Sequence, residues 1–494
     1  MDETLSGKCD NMVFSSLFFL YGFFSLSLLA YGLCRGQKAQ NLVLLIFSLI
    51  FYAWGEPKYT LLLMFMALVS WVCALGVERG KHPKLWVAAA AVIQLALIGY
   101  FKYAGLICSI FGTVPEFVRS IVLPIGISFY TFQLLSYVVD VYRKDAPAQK
   151  SYFNVLLYAA LFHQCIAGPI VRYKTIDKEL FSGEPRKPEW HLGVSRFCGG
   201  LAKKALLANP CGALANALIL SDSVAADASQ LAVNLQYMEN LPVLGAWVGM
   251  IAYSLHIYLD FSAYSDMAIG MGRMLGLHYL ENFNYPYISR TVTEFRRRWH
   301  MSLGTFFRDY VYIPLGGSRC SKMRMMFNTL VVWALTGLWH GASWNFVLWG
   351  LWYFLFLMIE RFFLKDFLEK TPVISNLYLL VVVLLGWVVF RFTNLEVGMA
   401  LVRSLFGLNG NAFTDFTTEM QIQSSAYLLI VSVIASTPLM KTIRIKLEAF
   451  SQRSPGLKDN FNVVFYSILP VVLLLLSTAC LVGDSYNPFI YFQF

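Results

Sequence analysis

The sequence predicts an all-α, polytopic membrane protein. Three observations lead there: hydrophobic residues fill 57% of the 494 positions, charged residues only 14%, and the apolar residues are gathered into long runs. These runs lie at about 13 to 33, 41 to 54, 58 to 76, 85 to 101, 118 to 139, 152 to 171, 197 to 220, 241 to 259, 325 to 339, 343 to 364, 374 to 390, 425 to 440 and 460 to 482. Several approach the ~20 residues that cross a hydrocarbon layer. Others are too short and predict broken or re-entrant helices enclosed by protein.

The first run follows an acidic stretch, MDETLSGKCDN, and precedes Arg35 and Lys38. That charge order is the reverse of a secretory signal peptide and predicts an uncleaved anchor with its N-terminus outside. Arg79, Lys81 and Lys84, then Arg143 and Lys144, then Lys441, Arg444, Lys446, Arg453 and Lys458 mark cytoplasmic loops. The net charge of +10 is therefore a signature of topology and does not imply nucleic-acid binding. The nine cysteines are scattered and never spaced as CxxC, so they read as small apolar packers and no metal site is expected.

Polar stretches at 172 to 192 and 440 to 459 are loop-sized, and no internal repeat of the transporter kind is visible, so one membrane domain is expected. One segment breaks the hydropathy pattern. From Thr291 it reads TVTEFRRRWHMSLGTFFRDYVYIPLGGSR, with Thr291 and Glu294 spaced as a capping box and Trp299, Leu303, Phe306 and Tyr310 at helical spacing. The pattern predicts an amphipathic helix at the cytoplasmic face or dipping into the membrane, ended by Pro314, Gly316 and Gly317. Arg296, Arg297 and Arg298 on it have two compatible readings: anchoring to headgroups, or a rim that binds phosphates.

His340 lies in TGLWHGASWNFVLWG, where two apolar runs meet around Gly341, Ala342 and Ser343. An imidazole there is costly unless it is hydrogen-bonded or lines a cavity, which makes it a functional candidate. The alternative is a structural histidine satisfied by a nearby carbonyl or by Asn345. His300, beside Trp299, is a second candidate or an interfacial residue. Asp260, Asp266, Asn282, Asn284, Arg308 and Asp309 are further embedded polar groups. Arg308 and Asp309 are expected to steady the backbone or each other, and Asp260 serves equally as a helix-to-helix bond or a proton carrier. Gly483, Asp484 and Ser485 imitate the opening of a serine esterase motif, but no histidine follows Ser485. Tyr491, three residues from the end of the sequence, reads by composition as an interfacial aromatic or part of a packed tail.

Six stretches together resemble the membrane-bound O-acyltransferases, in the branch like the bacterial alginate O-acetyltransferases that serve exopolysaccharide and cell-wall acetylation. They are NLVLLIFSLIFYAWGEP (41 to 57), LPIGISFYTFQLLSYVVDVYR (123 to 143), IAGPIVRY (166 to 173), FRRRWHMSLGTFFRDYVYIPLGGSR (295 to 319), LTGLWHGASWNFVLWG (335 to 350) and YNPFIYFQF (486 to 494). The resemblance runs from Met12 to Phe494. Residues 1–11 stand before it, either upstream of a true start at Met12 or as a dispensable extension. Residues 12–484 correspond to the membrane domain and 485–494 to a C-terminal tail.

The resemblance implies a ring of about a dozen transmembrane helices around a thinned core, where re-entrant and amphipathic helices form a tunnel. It implies that His340 is the family's intramembrane histidine and His300 its supporting one. The implied donor is acetyl-CoA, with no tightly bound cofactor, and Arg296, Arg297 and Arg298 would meet its phosphates. The implied partners are a polysaccharide acceptor and an extracytoplasmic SGNH-type acetyltransferase, and the implied location is the bacterial cytoplasmic membrane. The spacing of Phe489, Tyr491 and Phe494 looks like the C-terminal motif of a small peptide proposed to relay acyl groups in D-alanylation, which would make Tyr491 an acyl carrier. Two other functions compete: D-alanyl transfer to teichoic acid from a carrier protein, and transport.

Overall fold

The computed structural model describes residues 14–166, 168–483 and 489. Residues 1–13, and with them the N-terminal extension, lie outside the described residues, as do Asp484, Ser485 and Tyr491. Among the described residues all regular structure is helical. Among the described residues eight helices are long and apolar enough to cross a membrane, and a ninth span arises if Phe416–Ala435 and Leu439–Ser451, bent by 62° to each other, are one broken crossing. The protein is a multi-pass membrane protein.

The predicted runs at 118 to 139 and 152 to 171 fold as shorter pieces, Ile127–Tyr142, Tyr152–Ala160 and Phe162–Cys165. Their breaks have local causes. Pro124 and Gly126 precede the first, and Gly126 holds φ +74 with its α-carbon so close to the Cys165 carbonyl that a Cβ would lie 2.5 Å from the oxygen. Leu161 turns out of the helix at ψ 112, separating the other two.

The described chain falls into two compact units. The first comprises Met1–Leu201, Tyr264–Glu281 and Phe465–Gln493. Its centre is aromatic: Phe19, Phe23, Phe51 and Phe162 pack with centroid separations of 5.5 to 6.3 Å. The helices Pro57–Arg79 and Pro83–Ile98 are joined inside the apolar zone by Gln94, whose amide nitrogen donates to the Met66 carbonyl at 2.9 Å and the Ser70 hydroxyl at 2.8 Å. Such a bond satisfies polar atoms that lipid could not.

The second unit comprises Ala202–Ala263 and Asn282–Val464. Five helices matter for its site: α1 (Val243–Met274, of which residues up to Ala263 belong here), α2 (Val292–Arg298), α3 (Met301–Phe307), α4 (Lys322–His340) and α5 (Trp344–Ile359). Helices α4 and α5 form a hairpin with close backbones. A Cβ on Gly337 would lie 2.3 Å from the Phe346 carbonyl oxygen, and one on Gly350 would lie 2.3 Å from that of Trp333. Small residues thus bring the histidine-bearing helix directly against its neighbour.

The predicted amphipathic helix is not continuous. It opens at Thr291, whose hydroxyl accepts from the Glu294 amide at 3.0 Å as the capping box requires. It then breaks after Arg298 and restarts at Met301, with His300 in the left-handed region at φ 44, ψ 57. Asn282 makes the break possible, because its carbonyl takes the Met301 amide at 2.9 Å and its side-chain oxygen takes that of Ser302 at 3.2 Å. These are orphan donors of the new helix start. The apolar face predicted from Trp299, Leu303 and Phe306 is buried in protein.

Candidate active site

His340 is the last residue of α4, and Gly341 ends the helix in extended backbone. Three rings enclose the imidazole edge-on: Trp349 at 4.9 Å, Trp339 at 5.0 Å and Phe390 at 5.2 Å. Asn345, the structural partner considered from sequence, is engaged elsewhere. Its amide nitrogen donates to the Phe390 carbonyl at 3.1 Å and its oxygen accepts from the Ser343 hydroxyl.

His300 reaches the same place from another direction. Trp339 touches both imidazoles, lying 5.4 Å from His300. The Asn282 side-chain oxygen faces His300 Nδ1 at 3.1 Å and also accepts from the Ser302 hydroxyl at 2.8 Å. An amide oxygen can only accept, so Nδ1 carries the hydrogen and Nε2 keeps its lone pair. That Nε2 is enclosed and has no hydrogen-bond partner among the described residues. Burial pushes the His300 imidazole down to about 3, so the ring is neutral at physiological pH.

Both histidines line one cavity of about 860 Å³, whose wall also contains Arg296, Arg297, Arg308, Arg361 and Lys365. Arg296 is the most telling of the cations. Its Nε is enclosed without a hydrogen-bond partner among the described residues, and burial, then the charge of Arg297, lowers its affinity for its proton. A cation placed there without a counter-ion is unfavourable until an anion arrives. Arg308 is steadied by Asp309 at 2.6 Å, as the sequence suggested. Glu360, also in the wall, is occupied by the start of α2: the Val292 amide and the Thr293 amide and hydroxyl all donate to it. The arrangement can hold a polyanion and present two imidazoles to it, of which His300 is held neutral by burial.

Arg298 differs from its two neighbours. It does not line the cavity; it pairs with Glu294 at 2.8 Å and donates to the Asn284 carbonyl at 3.1 Å, bracing α2. In exchange the cavity recruits Arg361 and Lys365, which the sequence reading passed over. Their spacing of four residues across the end of an apolar run was the available signal, since it puts two cations on one helix face. Asp260 is a helix-to-helix bond, 2.5 Å from Lys204. Asp266 pairs with Arg196 at 2.6 Å within the first unit.

The sequence profile of the membrane-bound O-acyltransferase family matches residues 144–402, which contain both histidines and every cation of the cavity. The chain is 34% identical to the "Probable alginate O-acetylase AlgI" of Azotobacter vinelandii, over 98% of this chain and all of that one. It is 26% identical to the peptidoglycan O-acetyltransferase of Helicobacter pylori, over 98% of each. A teichoic acid D-alanyltransferase of Bacillus subtilis is 27% identical over 49% of this chain and 60% of its own. With two histidines on the wall of a cation-rimmed cavity and relatives matched from end to end, the chain is an acyltransferase and belongs to the membrane-bound O-acyltransferase family.

Proposed function

We propose that the protein takes acetyl groups from cytosolic acetyl-CoA and passes them across the bacterial cytoplasmic membrane for O-acetylation of an exopolysaccharide or cell-wall polymer. The observation that supports this best is the cavity. One cavity brings the two imidazoles together with Arg296, a half-buried cation whose Nε lacks a hydrogen-bond partner among the described residues. A thioester donor carrying phosphates supplies both the anion and the acyl group.

In this reading neutral His340 takes the proton of an attacking hydroxyl as its oxygen bonds to the thioester carbonyl carbon. The carbon–sulfur bond then breaks, and the leaving thiolate receives the proton from the imidazolium. His300, with Nδ1 held by Asn282, offers its Nε2 lone pair to the same space and steadies the hydroxyl or the proton. Arg296 and Arg297, joined by Arg308, Arg361 and Lys365, bind the phosphates. The first acceptor hydroxyl is the phenol of Tyr491. A phenol titrates near ~10, so a histidine deprotonates it more readily than an alcohol, and its ester is a good donor to the next acceptor. That acceptor is a serine of an extracytoplasmic SGNH-type acetyltransferase, which completes transfer to the polysaccharide.

The test uses purified full-length protein in lipid nanodiscs with radiolabelled acetyl-CoA. Intact-mass analysis is expected to find an acetyl group on Tyr491, absent in Tyr491→Phe and in His340→Ala. Acetyl-CoA turnover and polymer acetylation by Tyr491→Phe at the wild-type rate would remove the relay. Labelling from a D-alanyl carrier protein and none from acetyl-CoA would replace the donor.

A further inference from the structure

The second-unit part of α1 has two working faces. On one, Phe261 sets its ring edge against His300, with centroids 4.8 Å apart and planes at 89°, and Tyr258 lies 6.1 Å from Trp299. On the other, the residues flanking Phe261 are held by two consecutive lysines. Lys204 Nζ lies 2.5 Å from Asp260 Oδ1, with both side chains almost fully buried, and Lys203 Nζ donates to the Ser262 hydroxyl at 3.2 Å. One turn earlier, His256 Nδ1 meets the Ala208 carbonyl at 2.7 Å.

Lys203–Ala208 is a π-helical segment. Such a bulge widens the turn and is found often at functional sites. A buried ion pair in an apolar layer is seldom the most stable solution, since apolar side chains of similar volume do as well or better. What it supplies is a defined register. Here three polar contacts fix the rotation of α1 about its own axis at the level of Phe261. With side chains ~5–6 Å from the helix axis, a rotation of about 20° would carry the Phe261 ring about 2 Å along the wall that His300 rests on.

We propose that Lys203 and Lys204 are positioning residues for acyl transfer. By clamping Ser262 and Asp260 they hold Phe261 against His300 and keep that imidazole in its place on the cavity wall. The inference rests on the reading of His300 as part of the active site. Displacements of about 1 Å at reacting groups can cost about 100-fold in rate, so a loosened clamp is expected to matter even though it touches no substrate.

The experiment replaces the pair by apolar residues, Lys204→Met with Asp260→Leu, in the full-length protein in nanodiscs. Both members of the pair leave together, so neither remains as a lone buried charge, and the variant is expected to insert at the wild-type level. Turnover of acetyl-CoA is expected to fall about 10- to 100-fold with KM within about twofold. The decisive reading is the combination with His300→Ala: the triple variant is expected to be no slower than His300→Ala alone, because a clamp that acts through His300 has nothing left to align. Losses that multiply would overturn the proposal, as would wild-type turnover in the pair variant. Wild-type turnover in His300→Ala would instead overturn the reading of His300 itself, and the clamp with it. Should the pair variant fail to insert, Lys203→Met with Ser262→Ala releases the other pin, and the same non-additivity with His300→Ala decides.

Discussion

His163 in the first unit and His300 in the second are alike by every local measure. Both are fully buried, both have Nδ1 engaged, and both have Nε2 without a hydrogen-bond partner among the described residues. Both lie between the candidate spans, and burial pushes both down to about 3, helped at His163 by the charge of Arg186. They differ in what surrounds them. His163 meets the Tyr279 hydroxyl at 2.6 Å and packs edge-on against Phe162, in a nest of rings. His300 opens onto a cavity shared with His340 and five cations. A buried imidazole with an unpartnered Nε2 therefore does not by itself mark chemistry, and what makes one a candidate is a space that can admit a reactant.

The sharpest way to break that contrast is at the cavity's other imidazole. His340→Ala is expected to lower polymer acetylation by about 10²- to 10⁴-fold at unchanged membrane insertion, and His340→Gln is expected not to restore it, since an amide cannot take the proton. His163→Gln is expected to leave turnover per inserted molecule within about twofold, because its loss is one of packing. Near-wild-type acetylation by His340→Gln would make His340 as structural as His163.

A smaller effect tests how His300 is held. Asn282→Ala removes the acceptor that fixes Nδ1, a hydrogen bond whose loss on the order of 1–1.5 kcal/mol corresponds to about tenfold in rate. The expectation is a kcat about tenfold lower with KM for acetyl-CoA little changed. A fall in thermal stability without any change in kcat would assign Asn282 to the helix start alone.

The arginines supply a comparison within one turn of helix. Arg296→Gln is expected to raise KM for acetyl-CoA about tenfold or more, the scale of a charge-assisted contact, with kcat nearly unchanged. Arg298→Gln, which loses its contacts to Glu294 and the Asn284 carbonyl but none in the cavity, is expected to leave KM within about twofold. Equal effects from both substitutions would point to a diffuse surface potential in place of a site.

Sequence carried the fold class and the two histidines because both are written in one dimension. Long apolar runs have no reading other than membrane, and His340 stands out between Trp339 and Gly341. The family's motifs then supplied roles that no local pattern could. What one dimension concealed is contact. Arg296, Arg297 and Arg298 look alike in the chain, yet Arg298 pairs with Glu294 one turn back on the same helix while Arg296 and Arg297 line the cavity. The break at His300 was hidden because its cause, Asn282, lies eighteen residues upstream. Arg361 and Lys365 drew no notice in the sequence, and the fold brings them to the same wall as His340.

The mildest prediction returns to the two buried histidines and separates them by water. Each is neutral in the folded protein down to about pH 3 but takes a proton near ~6.5 when unfolded. Between those values the unfolded state binds more protons, so stability falls as pH falls, by up to about 1.4 kcal/mol per pH unit for each histidine. Above ~6.5 neither form binds the proton and the contribution is constant. Melting temperature in detergent is therefore expected to drop by a few degrees between pH 6.5 and 5, on a scale of roughly 1–2 °C per kcal/mol for a chain of this size. His163→Phe removes one of the two groups and is expected to flatten that dependence. His300→Phe is expected to flatten it less, because water entering the cavity restores part of the solvation that an imidazolium needs, so His300 resists its proton less stubbornly than His163 in its nest of rings. If the two variants flatten the curve equally, His300 is as dry as His163 and the cavity does not fill in the resting protein. If His163→Phe follows the wild-type curve, His163 is protonated in place, and Tyr279 must then accept its proton in a charge-assisted bond.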